Sequence, residues 1–438
     1  MFTIRVFEHQ TLRGGDVLTF HHGGSSKREK LEQRYIIALL KLYDQDKRPF
    51  FVPARNGIRF TQWVGVLKVL DLTIEILPKA DNRDASDDEH QQNKWQSILI
   101  GMLNVCRSLD TPSLSNASLR LKNNSILDLY IEQFIDEVTN LLRLGLVKRY
   151  RKEESNDTSL KGRLLFQKHL AKNIVHKELF YISKATYDCN HLLHQVLSKA
   201  IKIIPLICNN QELISKCHQL QFNFPEFKDI NVEESTFTKL QVDRKTAPYQ
   251  TAIQIAKLLI LNYHPDVSSG MADSIAILFD MNKLWEEYIY RMLQKANDGT
   301  LIIHSQRSVM FYNHQSGNRY IKPDIVIERP LPTGSEYTVI DTKWKNISGQ
   351  VENVSVEDLR QMFAYHHYFD AAKCYLLYPG EDIRKEGRFG EESFFKKTNL
   401  GDKACGVIVS KAWNEKDGSS ALDKNLGSQL LRSLELIA

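Results

Sequence analysis

The chain has 438 residues, 42% of them hydrophobic and 25% charged, with a net charge of +5. These are ordinary globular values that exclude a largely disordered or fibrous protein and leave room for two or three domains. The mild basic excess permits nucleic-acid binding without requiring it, and the scattered cysteines form no CxxC pair of the kind that marks a zinc site or a redox couple, which fits a reducing compartment.

The opening MFTIRVFEHQ lacks the basic start and apolar run of a signal peptide. No stretch approaches the roughly 18 uninterrupted apolar residues of a membrane span, so a cytoplasmic protein with no membrane contact is expected. Residues 1 to about 80 alternate short apolar runs with turn signals such as Gly14-Gly15 and Gly23-Gly24, a β-rich pattern. Leu72, Ile74 and Ile76 alternate with Thr73, Glu75 and Leu77, which predicts a half-buried strand ended by Pro78. A polar, acidic loop is expected over residues 80–94.

From Trp95 to about Tyr150 the apolar spacing becomes helical, as in Leu127, Ile131, Phe134, Ile135, Val138, Leu141 and Leu142. The charged run LVKRYRKEESND that follows reads as a solvated helix end and loop rather than a DNA-binding patch. Residues 160–265 read as mostly helical, interrupted at Pro225 and Pro248, and LNYHPDVSSGMAD marks a boundary near residue 265. The expected organisation is a β-rich N-terminal domain (1–95), a mainly helical middle region (96–265) and a C-terminal α/β domain (266–438), an α+β multidomain chain.

In the last third the order of elements is a helix (ILFDMNKLWEEYIYRMLQKA), a strand near Leu301 to Ile303, a strand (IKPDIVIE), a Pro/Gly turn and a strand (YTVIDTKWK). A helix (VEDLRQMFAYHHYF) and the strands CYLLYP and GVIVS complete a mixed central sheet. Asp324 falls within a β-branched run, where a buried carboxylate is unfavourable unless paired or bound to metal. Period two places Asp341 and Lys343 on one strand face and Ile340, Thr342 and Trp344 on the other. Two carboxylates on adjacent strands can hold a hard cation through oxygen, and the lysine can orient or help deprotonate a water and balance charge on phosphorus.

The triplet [DE]xK alone carries little information, since it recurs at Glu226 to Lys228 and Asp243 to Lys245. Only the match at Asp341 lies in a β-branched strand with a Pro323-Asp324 strand just before it. The other reading of the same letters is a salt-bridged surface hairpin. In the preceding helix, Glu286 or Glu287 could face the sheet as a further metal carboxylate. In the following helix, Gln361 and Tyr365 share a face and could hydrogen-bond a phosphate or Lys343, while the neighbouring His366 and His367 are expected to be structural.

This helix, PD strand, DxK strand and QxxxY helix, in that order, resemble the RecB-like branch of the PD-(D/E)xK nucleases. VFEHQTL from Val6, the Arg55 to Lys79 segment, Trp95 with LIGML, KGRLLFQKHLAKN from Lys161, and ILFDMNKLWEEYI narrow the resemblance to the McrC family of McrBC-type modification-dependent restriction systems. That resemblance implies a C-terminal DNA endonuclease domain, dependent on Mg2+ or Mn2+, with Asp324, Asp341 and Lys343 as its motif and Glu286 as the helix glutamate. Asp324, Asp341 and Glu286 would be the metal ligands, with Gln361 and Tyr365 matched more loosely as accessory residues. It further implies that the N-terminal region docks on a hexameric McrB-type AAA+ GTPase, that the partner reads modified DNA and binds GTP, and that this chain stimulates its hydrolysis. No GxxxxGK[ST] phosphate loop occurs, so GTP is expected on the partner alone. A stand-alone RecB-like repair nuclease and a non-catalytic activator of an AAA+ motor are the alternative readings. His194 stands where the family often has asparagine.

Overall fold

The structure is a computed structural model that describes residues 2–437 apart from 23–24, 46–49, 81–87, 107–124, 241–242, 265–273, 314–316, 333, 348–349, 390–403 and 417–418. The centre of the expected acidic loop and most of the expected boundary loop lie outside the described residues. The chain forms two compact units, one of residues 66–72 and 122–277, the other of residues 2–65, 73–121 and 278–438.

In the first unit, the helical spacing around Leu127 folds as the helix Ile126–Leu144, opened by a reciprocal Ser125/Asp128 capping box. Its buried stripe of Ile131, Phe134 and Val138 faces a bundle in which it packs with the helices Gln211–Asn223 and Gln250–Leu261, and the helix Leu192–Ile207 packs on both of those. Lys68 is buried and donates to the Leu206 and Ile207 carbonyls at 3.3 and 2.9 Å, satisfying acceptors that the end of that helix leaves open. His194 is a core residue, with Nδ1 2.7 Å from the Cys189 carbonyl and Nε2 3.2 Å from the Tyr249 hydroxyl.

The charged run is not a helix end and loop. Arg149–Asp157 is a strand, paired antiparallel along its whole length with Phe180–Asp188. Alternate residues are partly buried, and opposite charges meet between the strands, as in Arg151 with Asp188 (2.9 Å) and Lys184 with Asp157 (2.7 Å). The partners that turn this charge into a strand lie some thirty residues further on, so no local window contains them.

In the second unit, Phe2–Phe7 lies between Leu72–Leu77 and Val17–His22, and the latter also pairs with Ser25–Lys30. The strand expected to be half-buried at Leu72–Leu77 is buried at every residue. Its polar face is covered by the helix Glu89–Cys106, which occupies part of the segment expected as loop. Gln96 of that helix donates to Glu75 at 2.8 Å, Arg5 reaches Glu75 at 3.1 Å, and Asn93 accepts from Arg5 at 2.6 Å. Paired and hydrogen-bonded in this way, the charges tolerate burial.

The same unit holds a six-stranded mixed sheet in the order Ile302–Ser305, Ile325–Leu331, Gly334–Thr342, Ala371–Pro379, Ala404–Ser410, Ile383–Arg388. Gly334–Thr342, Ala371–Pro379 and Ala404–Ser410 run parallel, and the other pairings are antiparallel. The crossover into Ala371–Pro379 carries the helix Val356–Tyr368, whose Met362 and Tyr365 share a core with Val326, Val339, Cys374 and Leu376. Four tryptophans cluster in the same unit: Trp95 against Trp413 (5.1 Å between ring centroids) and Trp344 (6.4 Å), and Trp344 against Trp285 (5.4 Å).

Two expected boundaries move. ILFD belongs to the strand Ser274–Asp280, and the helix begins at Met281, where the Asp280 side chain accepts from the Asn282 and Lys283 backbone N–H groups. The expected strand IKPDIVIE is split: Arg319–Ile321 joins a separate hairpin, and the sheet strand begins at Ile325. Pro323 has no N–H for a ladder, so the chain breaks there and Asp324 sits on a bend rather than inside a strand. The six cysteines are free thiols, and among the described residues no helix is long and apolar enough to cross a membrane.

Candidate active site

Asp341 lies one residue from the end of Gly334–Thr342, flanked by the parallel neighbour at Leu376 and the antiparallel strand starting at Ile325. Alternation from Val339 turns Asp341 toward the helix Val356–Tyr368, and its residue is only 1% exposed. The pairing of Ile325 with Ile340 continues by one residue to set Asp324 opposite Asp341. Asp324 Oδ2 accepts two bonds from Thr342, 2.7 Å from the backbone N–H and 2.9 Å from the hydroxyl. These donors fix one oxygen of that carboxylate and leave the other for a further ligand.

Lys343 follows the strand, its backbone N–H still donating to the Leu377 carbonyl at 2.9 Å. Its Nζ stands 2.6 Å from Asp341 Oδ2 and 3.8 Å from Asp358 Oδ1. At 2.6 Å the ammonium and the buried Asp341 Oδ2 form a close ion pair. Lys343 Nζ also donates to Gln361 Oε1 at 3.3 Å, and Gln361 Nε2 donates to the Tyr365 hydroxyl at 2.6 Å. The spacing of four on one helix therefore produces a Lys343–Gln361–Tyr365 relay, while His366 is buried on the Ala371 carbonyl (2.9 Å).

Of the two candidate glutamates, Glu286 turns to this cluster and Glu287 pairs with Arg291 on its own helix at 2.6 Å. Glu286 Oε1 accepts from Gln306 Nε2 at 2.6 Å. Burial, then the charges of Asp324 and Asp341, push Glu286 up to about 7. Burial and the Asp324 charge push Asp341 up to about 6 against the pull of Lys343. Asp324 is also raised, chiefly by burial, despite the Thr342 donors. Burial alone would lower the Lys343 ammonium, but Asp341 and its ion pair, then Asp358 and Asp324, carry it above its ordinary value.

Burial raises all three carboxylates, and the charge of Asp324 adds to the rise at Asp341 and Glu286, so the group is short of positive charge. Among the described residues no three His, Cys, Asp or Glu side chains stand close enough together to hold a metal ion as they are placed. The group's all-oxygen donor set, with one Asp324 oxygen not used by Thr342, has the chemistry that suits a hard divalent cation. Of the competing triplets, the one at Asp243 is structural: Asp243 accepts from Thr246 and pairs with Arg149 at 2.6 Å in an exposed turn. Sequence reasoning did not single out Thr342, Gln306 or Asp358. Thr342 stands inside the motif, and Asp358 follows the helix-capping Ser355 by three residues. Gln306 has no local signal, because its role depends on a left-handed backbone (φ 52°) at a strand end.

Residues 58–379 match the family described as McrBC 5-methylcytosine restriction system component. A chain of the refined half-complex from the tetradecameric assembly of Thermococcus gammatolerans McrB AAA+ hexamers with bound McrC is similar over 100% of both chains, with a TM-score of 0.67 and 17% identity. A chain of the cryo-EM structure of the Thermococcus gammatolerans McrBC complex covers 67% of this chain and 88% of its own length, with a TM-score of 0.49 and 19% identity. At these identities the first likeness is one of fold. No curated protein is significantly similar in sequence. Because the family match spans residues 58–379, well over half of the 438-residue chain, the protein belongs to the McrBC 5-methylcytosine restriction system component family.

Proposed function

We propose that the chain is the DNA endonuclease subunit of a GTP-dependent restriction system and works with a McrB-type AAA+ partner. The observation that carries the nuclease half is the pairing of Asp324 and Asp341 at adjacent strand ends, both raised in pKa, with Lys343 Nζ 2.6 Å from Asp341. The residues that would hold Mg2+ or Mn2+ are Asp324, Asp341 and Glu286. Bound there, the cation would supply Lewis acidity toward a phosphate oxygen and lower the pKa of a coordinated water.

This chain's own residues then have separate tasks. Thr342 fixes the Asp324 carboxylate through two donors, so that its other oxygen is presented in one orientation. Lys343 stays an ammonium at neutral pH, since the carboxylates around it raise its pKa. In the metal-free site it is therefore a fixed positive charge at the strand end, placed to balance charge on a phosphate. Gln361 and Tyr365 hold that ammonium toward the strand end, and burial keeps the Tyr365 phenol protonated.

The partner half rests on the family and on the similarity to a McrC chain solved with McrB hexamers. In this reading GTP binds the partner and this chain stimulates its hydrolysis. The test reconstitutes the full chain with its partner, GTP, Mg2+ and DNA carrying 5-methylcytosine. Cleavage is expected to require all four and to be lost in Asp341→Ala, with the complex and GTP hydrolysis retained. Full cleavage by Asp341→Ala overturns the site assignment, and strong GTP-independent cleavage by the chain alone overturns the partner dependence.

A further inference from the structure

Between Ile302–Ser305 and Ile325–Leu331 the chain leaves the six-stranded sheet and forms a separate two-stranded ribbon, Val309–Tyr312 with Arg319–Ile321. Residues of the carboxylate site hold its base. Gln306 donates its backbone N–H to the Asp324 carbonyl at 2.8 Å and its side chain to Glu286 at 2.6 Å, in a left-handed conformation that a non-glycine residue adopts at some cost.

The register gives the ribbon two different faces. Val309 opposes Ile321, and both pack onto the core beneath the helix Val356–Tyr368. Met310 opposes Tyr320 on the other face, and they are 45% and 59% exposed. Tyr312, 55% exposed, stands opposite Arg319 beyond a register shift. A short ribbon is marginal by itself, and exposed strands are usually blunted by charge rather than by large apolar side chains, so this outer face has a use beyond stability.

Charge indicates what that use is. From Gln306 to Lys322 the sequence contains no acidic residue, and Arg307, Arg319 and Lys322 are exposed. Among the described residues Arg319 and Lys322 have no carboxylate partner. This basic, aromatic ribbon adjoins three carboxylates that would by themselves repel a polyanion. A two-stranded ribbon also has the dimensions to enter a DNA groove.

We propose that the ribbon formed by Val309–Tyr312 and Arg319–Ile321 enters a groove of the substrate duplex and holds it over the carboxylate site. Arg319 and Lys322 contact phosphates, and the Met310–Tyr320 face packs on sugar and base edges. The proposal rests on the nuclease reading above for its substrate, but its test is binding rather than cleavage.

The experiment measures anisotropy of a labelled duplex oligonucleotide with the full chain, in Ca2+ to prevent cleavage, across a salt series. Arg319→Ala with Lys322→Ala is expected to reduce the slope of log affinity against log salt by about two phosphate contacts, roughly 0.9 each. Met310→Ala with Tyr320→Ala is expected to weaken binding by roughly tenfold at every salt concentration. The cation-induced shift in melting temperature should remain in both, which shows that the site is folded. Ribbon variants with wild-type affinity and slope overturn the proposal, as does a wild-type chain that binds no duplex. So does loss of partner association with DNA affinity intact, which would make this face a protein interface. Asp341→Asn separates the two readings: duplex binding without cleavage supports both, whereas retained cleavage removes the nuclease site and leaves the binding result standing.

Discussion

Replacing Asp341 by asparagine should make the metal-free protein more stable while removing its response to metal. At pH 8 the buried Asp341 is ionised, although its folded pKa of about 6 lies well above the ordinary 3.8. Each pKa unit corresponds to about 1.36 kcal/mol, so the charge destabilises the metal-free fold by up to about 3 kcal/mol even with Lys343 beside it. Asparagine keeps the shape and removes the charge. For a unit of this size about 1 kcal/mol moves the melting temperature by roughly 2 °C, so a gain of about 3–6 °C is expected in EDTA. The sign follows from linkage: a raised folded pKa means stability is intact below about pH 4 and lost as pH rises through 6, so the advantage of Asp341→Asn should shrink below pH 6 and vanish near 4. Thermal unfolding of both proteins at pH 8 and pH 4, with EDTA or millimolar Mg2+, is the assay. An Asp341→Asn protein that is less stable than wild type in EDTA at pH 8, or that gains as much from Mg2+ as wild type, refutes the argument that this carboxylate awaits a cation.

Four further outcomes follow from the same geometry. Cation affinity, measured by titration calorimetry, should fall by about tenfold per pH unit just below pH 7, where Glu286 takes up its proton, and more steeply below 6 where Asp341 joins it; a flat profile from pH 5 to 8 contradicts this. Lys343→Ala should abolish cleavage yet bind the cation at least as tightly, since it removes a competing positive charge 2.6 Å from Asp341; weaker cation binding would count against its role as a charge rather than a scaffold. Glu8→Gln should stabilise the protein above pH 7 by about 1–3 kcal/mol, with no effect below about 4.5, because burial pushes Glu8 up to about 7 while glutamine can still accept from Trp344 (2.7 Å) and Lys79 (2.8 Å); a pH-independent loss on denaturant unfolding would show that the charge itself is needed. Gly427→Ala should lower stability by about 1–3 kcal/mol, because a Cβ there would fall 2.0 Å from the Met292 carbonyl of the helix that carries Glu286; an unchanged unfolding midpoint would mean that this helix contact readily gives way.

The sequence by itself determined the strands that carry the candidate site. Period two put Asp341 and Lys343 on one side, and the structure brings their charges to 2.6 Å; a spacing of four put Gln361 and Tyr365 on one helix face, and they hydrogen-bond. Such readings succeed because they depend only on backbone periodicity, which a run of a few residues carries within itself. Pro323 falls inside the expected strand IKPDIVIE, but its missing N–H delays the sheet strand to Ile325, after Asp324.

Only the tertiary structure decided everything that required a partner distant in sequence. The charged run at Arg149–Asp157 becomes a strand because Phe180–Asp188 supplies the opposite charges. Leu72–Leu77 is buried on both faces because Arg5 and Gln96 satisfy Glu75. Glu286, not Glu287, faces the site because the helix packs in one rotation against the sheet, and a one-residue difference on a helix is a turn of about 100° that composition cannot resolve. Gln306 and Thr342 enter the site through a left-handed turn and a strand end that meet only on folding. Local periodicity chooses the elements, but the burial and charge of a site depend on which elements come together, and that is set by packing across the whole chain.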